Sequence, residues 1–75
     1  MAKAIYTNDA VIVEIQDGYT AKLVESRGEV IIYQDGLRLS SGAWSGTYII
    51  PDDYAVPATI RDRLSRDLRA AQENR

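Results

Sequence analysis

An α+β fold is what this sequence predicts: an antiparallel β-meander of four or five strands, then one C-terminal amphipathic helix packed on the sheet. Three observations carry it. Short β-branched runs recur through the first fifty residues, and Asp17-Gly18, Arg27-Gly28 and Asp35-Gly36 punctuate them. After Pro57 the apolar period changes from two to roughly 3.6. A chain of 75 residues has room for a single domain, 1–75. It divides into a meander over about 3–50, a connector over 51–56 and a helix over about 57–73.

The first clear strand runs from Ala10 to Gln16, with Val11, Val13 and Ile15 on one face and Ala10, Ile12, Glu14 and Gln16 on the other. Asp17-Gly18 is a hairpin signal, because a type I′ turn needs positive φ at both central positions. Tyr19 to Ser26 returns antiparallel, Tyr19, Ala21 and Leu23 opposing Thr20, Lys22 and Val24. Arg27-Gly28 turns the chain into Glu29–Gln34, whose continuous apolar run predicts a central strand covered on both faces. Asp35-Gly36 turns it again into Leu37–Ser40. Ser41 to Gly46 reads as a small-residue loop that holds Trp44, and Thr47–Ile50 as a last strand stopped by Pro51. In the helix, Ile60, Leu64, Leu68 and Ala71 make a narrow apolar stripe. Asp62–Arg66, Arg63–Asp67 and Arg69–Glu73 stand at i,i+4 spacing on its charged side, and Gln72 to Arg75 are expected to fray. Two outcomes stay open for the second sheet face. Closure into a small barrel would absorb its apolar residues, whereas an open sheet would expose some combination of Ile12, Ile31, Tyr33 and Tyr48.

Composition removes several functional classes. There is no Cys and no His, so thiolate chemistry, the commonest general base and the usual zinc and haem ligands are missing. Each glycine sits singly in a turn or loop, and no phosphate-cradling motif is present. Neither cofactor nor metal is expected, and no catalytic residue; the chain reads as a non-enzyme without a small-molecule substrate. The segment Met1-Ala2-Lys3-Ala4-Ile5 lacks the apolar core of a signal peptide, and every apolar run ends well before the roughly 18 residues of a membrane span. Together with the lack of disulfides, this points to the cytoplasm and to no membrane partner.

Charge is unevenly distributed. The net formal charge is −2, yet residues 1–55 hold eight carboxylates against four cationic side chains, and residues 56–75 hold five arginines against three carboxylates. An acidic sheet disfavours direct nucleic-acid binding. Glu14, Glu25 and Glu29 could align across neighbouring strands as a local acidic patch. Arg61, Arg63, Arg66 and Arg69 are interleaved with Asp62 and Asp67, the pattern of a solvated, ion-paired face. Asp52-Asp53 lies just ahead of the helix, where a turn beside the helix N-terminus accounts for it. Aromatic usage is skewed, with five Tyr, one Trp and no Phe, and Tyr and Trp are the residues that most often anchor interfaces. Trp44 either plugs one end of the core or stands out for recognition. The expected partner-binding residues are Trp44, Tyr54, Asp52, Asp53 and Glu29.

In size, acidity, lack of Cys and sheet-plus-helix build the whole chain resembles small phage-encoded inhibitors, anti-CRISPR proteins in particular. Asp53-Tyr54-Ala55-Val56-Pro57-Ala58-Thr59-Ile60, a Val-Pro entry into a terminal amphipathic helix, is similar to segments of such proteins. The resemblance implies a stoichiometric ligand in the cytoplasm of a bacterial host. It would sit on a basic surface of a nucleic-acid-handling complex, such as subunits of a CRISPR effector, and block DNA access or nuclease recruitment. No functional residue carries over. Two alternatives come from other classes: a small structural or assembly component of a phage virion acting by self-association, for which a homodimer is one form, and a weak nucleic-acid binder using the Arg-rich helix.

Overall fold

The computed structural model describes residues 3–75. Met1 and Ala2, the start of the segment read as lacking a signal-peptide core, lie outside the described residues, as does the side chain of Gln16, expected on the second sheet face. Six strands, β1 (Lys3–Tyr6), β2 (Ala10–Glu14), β3 (Tyr19–Val24), β4 (Glu29–Gln34), β5 (Leu37–Trp44) and β6 (Ile49–Pro51), form one antiparallel sheet in chain order. Helix α1 (Ala58–Glu73) follows and packs over β2, β3 and β6. The meander-plus-helix architecture is thus the one the periodicities predict. β1 is an addition: it has only one β-branched residue and no Gly or Pro turn behind it. Its turn is closed instead by Thr7, whose N–H donates to the Ala10 carbonyl (2.9 Å) while its Oγ1 accepts from the Ala10 N–H (2.9 Å).

Alternation sorts the sheet into a covered and an uncovered face. Val11, Val13 and Ile15 meet Ala21, Leu23, Val30, Ile32 and Ile49 beneath Leu64, Leu68 and Ala71 of α1, and all of these are buried. The sheet does not close, because β1 and β6 each have a neighbour on one side only. The Asp-Gly turns take the expected backbone, with φ of 75° and 78° at Asp17 and Gly18 and of 52° and 86° at Asp35 and Gly36.

Three expectations about the strands need correction. β4 is central, but Val30 and Ile32 are buried while Ile31 and Tyr33 on its other side are only half-buried. A continuous apolar run therefore marked a strand covered on one face, not two. Ser41-Gly42-Ala43-Trp44 is no loop; it continues β5, pairing with Glu29–Ile31 on one side and Ile49–Pro51 on the other. Small residues suit this stretch because β6 crosses close by: a Cβ at Gly42 would collide with the Ile50 carbonyl oxygen. A bulge at Ile32/Tyr33 leaves Leu39 as the extra residue of β5 and turns it onto the core. Pro51, expected to stop the last strand, is its final residue and sits at the sheet edge, where its missing N–H costs nothing.

The helical stripe is as expected, with Leu64 and Leu68 fully buried, Ala71 buried and Ile60 packed against the same cluster. Ser65 joins it. Its hydroxyl accepts the Ile49 N–H (2.9 Å) and donates to the Arg61 carbonyl (2.8 Å), a polar link between β6 and α1 inside the core. Among the described residues none of the three i,i+4 helix pairs forms an ion pair. Arg63 reaches Asp17 (3.9 Å), and Arg61 and Arg69 donate to the carbonyls of Val56 and Thr47. The helix end is tied down rather than frayed. Gln72 bridges Trp44 and Glu25, and Arg75 pairs with Glu25 (3.3 Å), donates to the Thr7 carbonyl and lies over the Tyr6 ring.

Two substitutions test this arrangement. Ser65→Ala strands the buried Ile49 N–H and should cost about 1–3 kcal/mol in urea unfolding. Gly42→Ala should cost about 1–3 kcal/mol by the same measurement, with hydrogen-exchange protection lost first at β6.

Candidate functional site

The connector between β6 and α1 is short and held at several points. At its start the Asp52 N–H donates to the Ser41 carbonyl (3.0 Å), and Asp52 Oδ2 accepts from the Ser41 hydroxyl (3.1 Å). One residue on, Asp53 Oδ1 accepts from the Ser40 hydroxyl (2.8 Å) and from the Ala55 N–H (2.9 Å). At its far end Val56 is buried in the core. Between these anchors Tyr54 projects outward, 91% exposed. With the backbone pinned on both sides, binding need order only the Tyr54 side chain and not a mobile loop.

The two carboxylates differ. The Ala55 N–H and then the Ser40 hydroxyl stabilise the ionised form of Asp53 and hold its carboxyl below the ordinary aspartate value. Neither Asp52 nor Asp53 forms an ion pair among the described residues; the pairs there are Arg63–Asp17 and Arg75–Glu25. The corner therefore presents two acceptor groups without a cation beside a nearly bare phenol ring.

Of the five residues expected to bind a partner, the structure brings three together here: Asp52, Asp53 and Tyr54. Glu29 is half-buried at the start of β4, two strands away. Its cross-strand neighbours are Val24 and Ala43, and Ala43 in turn faces Ile50. This row lies on the uncovered face, the face that also carries Ser41, Asp52's partner. Trp44 is on the opposite, covered face. It is half-buried against the core, and its Nε1 donates to Gln72 Oε1 (3.0 Å). Of the two roles open to it, the structure places it at the end of the core, in a strand and not in a loop.

The acidic alignment of Glu14, Glu25 and Glu29 does not form. Glu14 stands across from Lys3 and Thr20, Glu29 across from Val24, and Glu25 is taken up by Arg75 and Gln72. The uncovered face instead carries apolar side chains: Ile12, Ile31 and Tyr33 half-buried, with Ile5 45% and Ile50 47% exposed. Tyr48, in the bend before β6, is also largely exposed. Sequence reasoning missed Ser40 and Ser41, the residues that orient both carboxylates. Ser41 was hidden by reading Ser41 to Gly46 as a loop; Ser40 was read as the end of a strand, and nothing local shows that Asp53, 13 residues on, returns to it.

No helix among the described residues is long and apolar enough to cross a membrane. No family model, curated protein or solved structure matches this chain.

The Asp53 anchor is testable by titration. A carboxyl whose folded pKa is depressed contributes stability above the unfolded value and loses it as pH falls through the folded one. Carboxyl NMR should show Asp53 titrating below an ordinary aspartate, and Ser40→Ala should move its midpoint upward.

Proposed function

We propose that this protein is a non-catalytic binding module that meets a protein partner through the Asp52-Asp53-Tyr54 corner. The observation that carries this is the 91% exposure of Tyr54 between fixed anchors, beside carboxylates that no cation of the described chain neutralises. Tyrosine offers apolar area with a polar tip, and a pre-positioned ring beside acceptors suits a pocket rimmed by Arg or Lys. The apolar uncovered face next to it, with Ile50 on its edge strand, supplies further area for the same contact.

The class of partner follows from the chain's resemblance to small phage inhibitors: a basic surface of a nucleic-acid-handling complex, with a CRISPR effector the leading case. The protein would occupy that surface in place of DNA. The Arg-rich helix supports the competing nucleic-acid reading less well, since Arg61, Arg63 and Arg69 are already engaged within the molecule and Asp62, Asp67 and Glu73 share the helix.

The test is competition. Purified multisubunit CRISPR effector complexes are titrated with the protein, and their binding to labelled target DNA is followed. Inhibition should saturate at a fixed stoichiometry and weaken at least ten-fold in Tyr54→Ala and in the charge-reversed Asp52→Lys/Asp53→Lys variant, with circular dichroism unchanged. Undiminished inhibition by both variants would remove the corner from the reading. A lack of inhibition in every complex tested would remove the effector as partner.

A further inference from the structure

The two edges of the sheet are not alike. β6 has three residues, ends in Pro51 and runs into a bend at Asp52. β1 has four residues, none of them Pro, and all four are exposed. Short strands and proline blunt an edge against pairing; β6 has both, whereas β1, among the described residues, has only its short length and Lys3.

The hydrogen-bond phase of β1 can be fixed from its neighbours. Ile15 N–H donates to the Tyr19 carbonyl and Glu25 N–H to the Asp9 carbonyl, so the odd-numbered residues of β2 direct their backbone groups to β3. The even-numbered ones, Ala10, Ile12 and Glu14, therefore face β1, where they meet Thr7, Ile5 and Lys3. The N–H and C=O groups of Ala4 and Tyr6 point out of the sheet, with no partner among the described residues.

We propose that β1 pairs antiparallel with β1 of a second copy of this chain, about a two-fold axis at Ile5. Each Ala4 then exchanges both backbone hydrogen bonds with Tyr6 of the other copy, which satisfies every outward group of the strand. The register keeps faces matched. Ile5 meets its own copy on the uncovered face, which extends the Ile5–Ile12 row through the seam into the same row of the second molecule. On the covered face small Ala4 stands across from the larger Tyr6, whose hydroxyl remains on the Ala71 carbonyl (2.8 Å). Lys3 is set across from Thr7 and away from the other Lys3, and it keeps Glu14 as its neighbour within its own sheet. The product is one sheet of twelve strands, six from each molecule. The β6 edges, and with them the two Asp52-Asp53-Tyr54 corners, lie at its far ends, so dimer formation and partner binding stand or fall separately.

Four residues of pairing make a small interface, so the dimer should dissociate on dilution. The chain has no cysteine, which allows the register itself to be read. Opposed Cα atoms at a non-hydrogen-bonded antiparallel pair are about 4.5 Å apart, within disulfide reach. With diamide as oxidant, Ile5→Cys should give a covalent dimer and Lys3→Cys at least ten-fold less. Light scattering should find wild type moving from dimer to monomer on dilution. Ala4→Pro, which removes an outward N–H and no ladder bond, should be monomeric at every concentration with an unchanged circular dichroism spectrum. A wild-type protein that is monomeric at millimolar concentration would overturn the proposal, as would equal cross-linking of the two cysteine variants. Should Ala4→Pro fail to fold, the cysteine pair still decides.

Discussion

One helix for one sheet is the constraint on which the rest depends. Leu64 and Leu68 of α1, both fully buried, close the apolar core of the described residues against Val11, Val13, Leu23, Val30 and Ile32. The buried inward side chains of β2, β3 and β4 are therefore apolar and alternate strictly. The other side of the sheet must be tolerable in water. Its mixture of Lys22, Glu14 and Glu29 with half-buried Ile12, Ile31 and Tyr33 fits that condition.

Polar groups lock the layer in place. Buried hydroxyls at Ser65 and Ser40 each have a defined partner, and no buried side-chain polar atom among the described residues lacks one. Ser65 fixes β6 to the helix; Ser40 fixes the connector to β5. At the opposite end, Trp44, Gln72, Glu25, Arg75 and Tyr6 make a chain of contacts that draws the helix terminus toward β1 and the β3–β4 turn. Such contacts are directional, so they choose one seating of the helix among those that hydrophobic burial alone would permit.

The β6–α1 corner follows from the same economy. Val56 must reach the core to start the helix from beneath, and Ser40 and Ser41 hold the two aspartates, which leaves Tyr54 no inward place. Its exposure is a consequence of short connection length, and short connections are where a fold can present a side chain without the entropy of a mobile loop.

The sequence by itself determined the local features: the Asp-Gly turns, the alternation of β2 and β3, and the Ile60–Leu64–Leu68–Ala71 stripe. Each of these is written within a few residues, because backbone sterics and side-chain period act at that range. It also placed Asp52, Asp53 and Tyr54 together, since they are adjacent in the chain. Only tertiary structure decided that Lys3–Tyr6 is a strand, that Gly42 lies under β6, and that Trp44 and Glu29 look to opposite faces. β1 owes its form to pairing with β2, not to propensity. Gly42 and Trp44 owe theirs to a strand whose small residues imitate a loop until a neighbour crosses them. Which face of a strand is covered depends on where one distant helix lies, and no local pattern carries that information.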